Sequence, residues 1–115
     1  MTDTGLPEEE PAGFTISLRT RGPVPEVLLR GELDLRAAAE LRETLLEVLS
    51  QPGGSVLLDM TELVFLDSTI ISVLIMAKKR AETAGGLIRL RNVPARVQRI
   101  FAITGIEELF SVEEG

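Results

Sequence analysis

The chain alternates between two hydrophobic rhythms, one of period two and one of period three to four. Phe14, Ile16 and Leu18 alternate with Thr15, Ser17 and Arg19, which predicts a half-buried strand. Gly22-Pro23 and Pro25 mark a turn, and Val27 to Leu33 forms a second strand, so the pair reads as a hairpin. Asp34 then stands where a helix N-cap belongs, able to accept from the free amides of a first turn. Leu35, Ala38, Leu41, Leu45, Val48 and Leu49 follow at helical spacing, with Arg36, Glu40, Arg42, Glu43 and Glu47 on the other face. The helix stops before Pro52-Gly53-Gly54.

Val56 to Met60 is a short apolar run, expected to be a strand buried on both faces by a parallel crossover. Leu63 to Leu66 is read as its exit loop, followed by a second helix from about Ser68 to Ala84 with Gly85-Gly86 as a left-handed C-cap. Leu87 to Arg91 is a further strand. Pro94 sits where a first helical residue would, before Val97, Ile100, Phe101 and Thr104 on one helix face and Gly105 at its end. Leu109 to Val112 adds a short edge strand. Strands alternating with helices imply an α/β domain.

Between the strand region and the second helix lies F-L-D-S-T-I-I-S, Phe65 to Ser72. Asp67, Ser68 and Thr69 interrupt the most apolar part of the chain. A helix start explains them without chemistry, because its first amides lack internal partners. They also fall beyond the carboxyl end of a central strand, where open α/β sheets place their sites. Asp34 holds the analogous position after another strand, so the two Asp residues flank Ser68 if the strands are neighbours. A hydroxyl at a helix N-terminus is a favourable place for a phosphate.

Composition narrows what Ser68 can do. The 115 residues suffice for one domain and contain no histidine and no cysteine. A Ser-His-Asp triad, an imidazole or thiolate metal site and a phosphohistidine are therefore excluded. Ser68 has no base to activate it, so any phosphate on it must come from another protein. The glycine pairs lack the Lys-Ser/Thr of a phosphate-binding loop. No cofactor and no enzymatic activity are expected.

The net charge of −6, four Phe and no Tyr or Trp argue against nucleic acid as a partner. The apolar window Leu63 to Ala77 is too short to cross a membrane. Residues 1–12, with Pro7, Pro11 and Glu8-Glu9-Glu10, read as a disordered acidic tail before a domain over residues 13–115.

G-E-L-D (Gly31 to Asp34), F-L-D-S-T (Phe65 to Thr69) and N-V-P-A-R-V-Q-R-I-F-A-I-T-G-I-E-E-L-F (Asn92 to Phe110) occur in that order. Together they resemble a bacterial anti-sigma factor antagonist of the STAS type over about Phe14 to Val112. The resemblance implies a small mixed sheet with helices packed largely on one side. It implies a cytoplasmic protein that binds an anti-sigma factor, itself a serine kinase, and so frees a sigma factor. The phosphorylated residue would be Ser68, and the partner-binding residues Asp34, Asp67, Ser68, Thr69 and Ile70. A serine phosphatase would complete the cycle. The family usually has Gly two residues after the phosphorylated position and a small residue two further on; here Ile70 and Ser72 occupy those places. The alternative on the same fold is a non-phosphorylated STAS scaffold subunit of a stress-sensing or lipid-transport complex.

Overall fold

Five strands and three α-helices follow one another in a computed structural model that describes residues 13–20 and 22–113. The acidic tail expected over residues 1–12 lies outside the described residues. β1 (Phe14–Arg19) and β2 (Glu26–Leu33) form the expected hairpin, antiparallel with Phe14 opposite Gly31 and Arg19 opposite Glu26. The chain then crosses through α1 (Leu35–Leu49) to β3 (Val56–Leu66), through α2 (Ser68–Thr83) to β4 (Ile88–Arg91), and through α3 (Ala95–Thr104) to β5 (Ser111–Glu113). A short 3-10 turn, Glu107–Leu109, precedes β5. The sheet order is β1-β2-β3-β4-β5, and every pairing after the hairpin is parallel. This is the mixed α/β sheet that the alternating elements imply.

The two faces of the sheet differ because side chains alternate across a strand. Val27 and Leu29 of β2, Val56, Leu58 and Met60 of β3, and Ile88 and Leu90 of β4 are buried. They share one core with Leu41, Leu45, Val48 and Leu49 of α1 and Ile70, Leu74, Ala77 and Ala81 of α2. α1 and α2 lie side by side over this face, while α3 adds Val97 and Phe101 against β3. The other face carries Glu26, Arg30, Asp59, Arg89 and Arg91. There Arg91 reaches Asp59 at 2.8 Å and Glu26 at 2.9 Å, tying three strands together.

Three sequence expectations need correction. The segment Leu63–Leu66 is the second half of β3, not a loop. Between Leu28 and Leu33 β2 advances five residues while β3 advances seven, from Asp59 to Leu66, because the register shifts twice. Such bulges reset which face a side chain meets, so Met60, Leu63 and Leu66 are all buried at a spacing of three. Leu35, assigned to the apolar face of α1, is 70% exposed, whereas Ala37 is wholly buried. At 100° per residue Leu35 lies about 200° around the helix from Ala37, on the solvent side. Pro94 caps α3 in an extended conformation rather than opening its first turn. No helix among the described residues is long and apolar enough to cross a membrane.

Candidate partner-binding site

The site begins with a glycine. Gly31 of β2 has φ +83°, a left-handed conformation that favours glycine, and a Cβ there would stand 2.2 Å from the carbonyl oxygen of Gly13. The same carbonyl accepts from the Glu32 amide at 2.9 Å. Gly13, just before β1, therefore lies close against β2 at its second register shift, between Gly31 and Glu32. That bend leads the chain through Leu33 to Asp34.

Asp34 and Asp67 cap the two helices that leave neighbouring strands. Leu33 of β2 pairs with Leu66 of β3, and the Asp67 amide donates to the Leu33 carbonyl at 3.2 Å. Both helices therefore start at the carboxyl ends of two adjacent parallel strands. Asp34 accepts from the Arg36 amide at 3.0 Å, and Asp67 accepts from the Ile70 amide at 3.1 Å. Each carboxylate meets a donor that the helix itself leaves without an acceptor.

Arg36, on the polar face of α1, adds a cation. Its Nε donates to both carboxylate oxygens of Asp34, at 3.1 and 3.3 Å. This hydrogen bond is the main cause that holds the Asp34 carboxyl below its ordinary range, with the Arg36 amide adding to it. Asp34 in turn pushes the Arg36 guanidinium up. The carboxylate beside the α2 start is thus ionised and already has a partner. The signal in the sequence was the Asp-x-Arg spacing, which puts the guanidinium within reach of its own cap.

Ser68 is the first residue of α2 and is exposed, and Thr69 is half-buried. Among the described residues the Ser68 hydroxyl makes no hydrogen bond. The amides of Ser68 and Thr69 likewise meet no acceptor there, because Asp67 is taken by Ile70 and the Asp67 carbonyl by Ile71. The Ser68 carbonyl accepts from the Ser72 hydroxyl at 3.1 Å, one turn further on. A free hydroxyl beside two free amides at the positive end of a 16-residue helix suits an added anion.

Ile70 departs from its expected role. Its side chain is completely buried in the core between the helices and the sheet. It therefore cannot touch a partner docked at Ser68. Asp34, Asp67, Ser68 and Thr69 are brought together at one end of the sheet, and Ile70 supports them from beneath. Among the described residues no group of three or more carboxylates is arranged to hold a metal ion.

The chain matches known proteins along nearly its whole length. The family model described as "Mlab, STAS domain" matches residues 16–112. The anti-sigma-B factor antagonist of Bacillus subtilis is 30% identical over 87 residues, which is 76% of this chain and 79% of that protein. In fold, the chain is similar to an anti-sigma factor antagonist from Mycobacterium paratuberculosis, with a TM-score of 0.79, 19% identity and coverage of 92% and 90% of the two chains. It is also similar to the Bacillus cell fate determinant SpoIIAA in its phosphorylated form, with a TM-score of 0.70, 19% identity and coverage of 88% and 91%. With its hairpin, its parallel crossovers and the G-E-L-D and D-S-T segments at one sheet end, the chain belongs to the STAS-domain family of anti-sigma factor antagonists.

Proposed function

We propose that this chain binds an anti-sigma factor that is also a serine kinase, frees a sigma factor by doing so, and is switched off when that kinase phosphorylates Ser68. The observation that carries the reading is the exposed Ser68 hydroxyl at the first position of α2, next to the capping Asp67. The solved SpoIIAA, of similar fold, exists in a phosphorylated form, so such a fold tolerates a phosphate. Ile70 offers no obstacle to a kinase, because its β-branched side chain points into the core and leaves the surface at Ser68 open.

The switch follows from charge. A phosphate adds roughly −1.5 to −2 charges at neutral pH, and a helix N-terminus favours an anion by about 0.3–1 kcal/mol. The fold therefore survives. A partner that docks around neutral Ser68 must instead desolvate a dianion among Glu32, Asp34 and Asp67, of which only Asp34 is paired with Arg36 at this site. Like charges brought together at an interface cost several kcal/mol, which lowers affinity by roughly a hundredfold or more. A serine phosphatase would restore the binding form. The chain supplies no catalysis of its own in this scheme.

Calorimetric titration of the kinase into each form tests the proposal, with mass spectrometry locating the phosphate. Ser68→Ala should bind without being switched and Ser68→Asp should bind weakly. Equal affinity of the phosphorylated and unmodified proteins, or phosphate found only at other residues, would overturn it.

A further inference from the structure

Two arginines of α3 meet nothing on this chain. Arg96 and Arg99 are exposed and make no hydrogen bond or ion pair among the described residues. Ile103, one turn further on, is 84% exposed, more than any other large apolar side chain described. At 100° per residue the three lie within about 60° of one another around the helix. Val97 and Phe101, which anchor α3 in the core, lie about 150° away. The helix therefore turns a basic stripe with an apolar end to solvent.

α1 turns the opposite charge outward. Glu40, Glu43 and Glu47 are exposed, and their side chains likewise have no partner among the described residues. Their spacing of three and then four is that of Arg96, Arg99 and Ile103. Where the acidic stripe ends, a recess of about 330 Å³ opens between the C-terminal end of α1 and the turn from β1 to β2. Leu18, Pro23, Pro25, Val48 and Pro52 line it, together with Glu47 and Gln51.

The stripes also match in register. Ile103 follows Arg99 by four residues, and Gln51 follows Glu47 by four. With two such helices parallel and Ile103 in the recess beside Gln51, Arg99 comes level with Glu47. Arg96 then stands about 1.5 Å from level with Glu43, within easy reach of a long side chain. Both stripes face solvent, so they can meet only between two copies.

We propose that the outer face of α3 docks on the α1 face of a second copy of this chain, with Ile103 in the recess and Arg99 and Arg96 on Glu47 and Glu43. Removal of Ile103 from water supplies the affinity, and the ion pairs set the direction. The contact is small, so the association is weak and depends on concentration. It joins two different surfaces, so a bound pair keeps one of each free and can add further chains. The recess lies at the end of α1 opposite to its Asp34 cap, so Ser68 stays open in such a row.

Sedimentation velocity across chain concentration tests this contact with two variants. Ile103→Lys removes the apolar end, and Glu47→Arg reverses the charge beside the recess. Both positions are exposed, and both changes place a cation in the last turn of a helix, where the dipole favours it. The wild type should grow beyond two chains as concentration rises, and less so in high salt. Each variant alone should raise the self-association Kd about tenfold or more. An equimolar mixture of the two should form pairs and stop there, because Ile103→Lys keeps the α1 face and Glu47→Arg keeps the α3 face. A wild type that stays monomeric up to about 1 mM, wild-type association in both variants, or a mixture no larger than its components would overturn the second copy as the occupant.

Discussion

Ile70 and Ser68 are two residues apart and have opposite fates. A helical turn that starts at a sheet end must turn one side chain toward the sheet and leave another in water. Ile70 takes the buried place. Its truncation should therefore be read as a core mutation: Ile70→Val should lower stability by about 0.5–1.5 kcal/mol and Ile70→Ala by about 2–5 kcal/mol. A small domain has about 5–15 kcal/mol in all, so Ile70→Gly, with about 1 kcal/mol more lost to helix propensity, would populate unfolded chain. Ser68 should behave in the contrary way. Its hydroxyl has no partner among the described residues, so Ser68→Ala should unfold at the same urea concentration as the wild type. Asp67→Ala removes the acceptor of the Ile70 amide and should cost about 0.5–2 kcal/mol. Urea titrations followed by circular dichroism check all five variants. Loss of stability in Ser68→Ala equal to that in Asp67→Ala would mean that the serine is a second cap rather than a free acceptor.

The site depends on how β2 and α1 are joined, and Gly31 controls that join. Any side chain at Gly31 meets both a positive φ and the Gly13 carbonyl at 2.2 Å. Gly31→Ala should destabilise the domain by about 2–4 kcal/mol, the sum of left-handed strain and overpacking. The surviving folded fraction should bind its partner more weakly, because β1 can only move away by releasing the bond from Glu32 to Gly13. Unaltered stability and affinity would show that the bend tolerates a side chain. Most of the element order was legible without coordinates, because Leu41, Leu45, Val48 and Leu49 keep a helical period and Val27 to Leu33 a strand one. The second half of β3 was not legible. Thr61 and Glu62 look like a turn, and the spacing of three between Met60, Leu63 and Leu66 arises from bulges against β2, a property of two strands together. Leu35 is exposed for a related reason: an apolar residue at a helix end fits a periodic pattern loosely, and its burial depends on what lies beneath. The capping Asp residues were legible, since a cap is set by local sequence. Arg36 was not, because its role concerns the charge of Asp34 and not the period of the helix.

At the scale of the whole molecule, the sheet face away from α1 and α2 carries an ion cluster beside the apolar Leu28 and Leu57. Arg91 of β4 bonds Asp59 of β3 through Nε at 3.1 Å and through a terminal nitrogen at 2.8 Å, and it reaches Glu26 of β2 at 2.9 Å. The three side chains are only 14–19% exposed, so water screens them little. Burial raises the Asp59 carboxyl, but the Thr61 hydroxyl and amide and the Arg91 guanidinium outweigh it, and the net result lies below the ordinary value of 3.8. A carboxyl lowered in the folded state stabilises the fold above its unfolded value and loses that contribution as pH falls through the folded one. Asp59→Asn keeps an oxygen for the Thr61 amide and removes only the charge, so at pH 7 it should lower stability by roughly 1.5–3 kcal/mol. The gap between variant and wild type should persist to about pH 5 and close below 3.8 as the wild-type carboxyl takes up its proton. Partner affinity at neutral pH should not change, since Asp59 faces away from the core and lies well back from the sheet end that carries Ser68. Urea titrations of both proteins at pH 7, 5 and 3 measure the gap directly. A gap that stays constant to pH 3 would mean that shape and hydrogen bonding hold β3 to β4, and that the Asp59 charge contributes nothing.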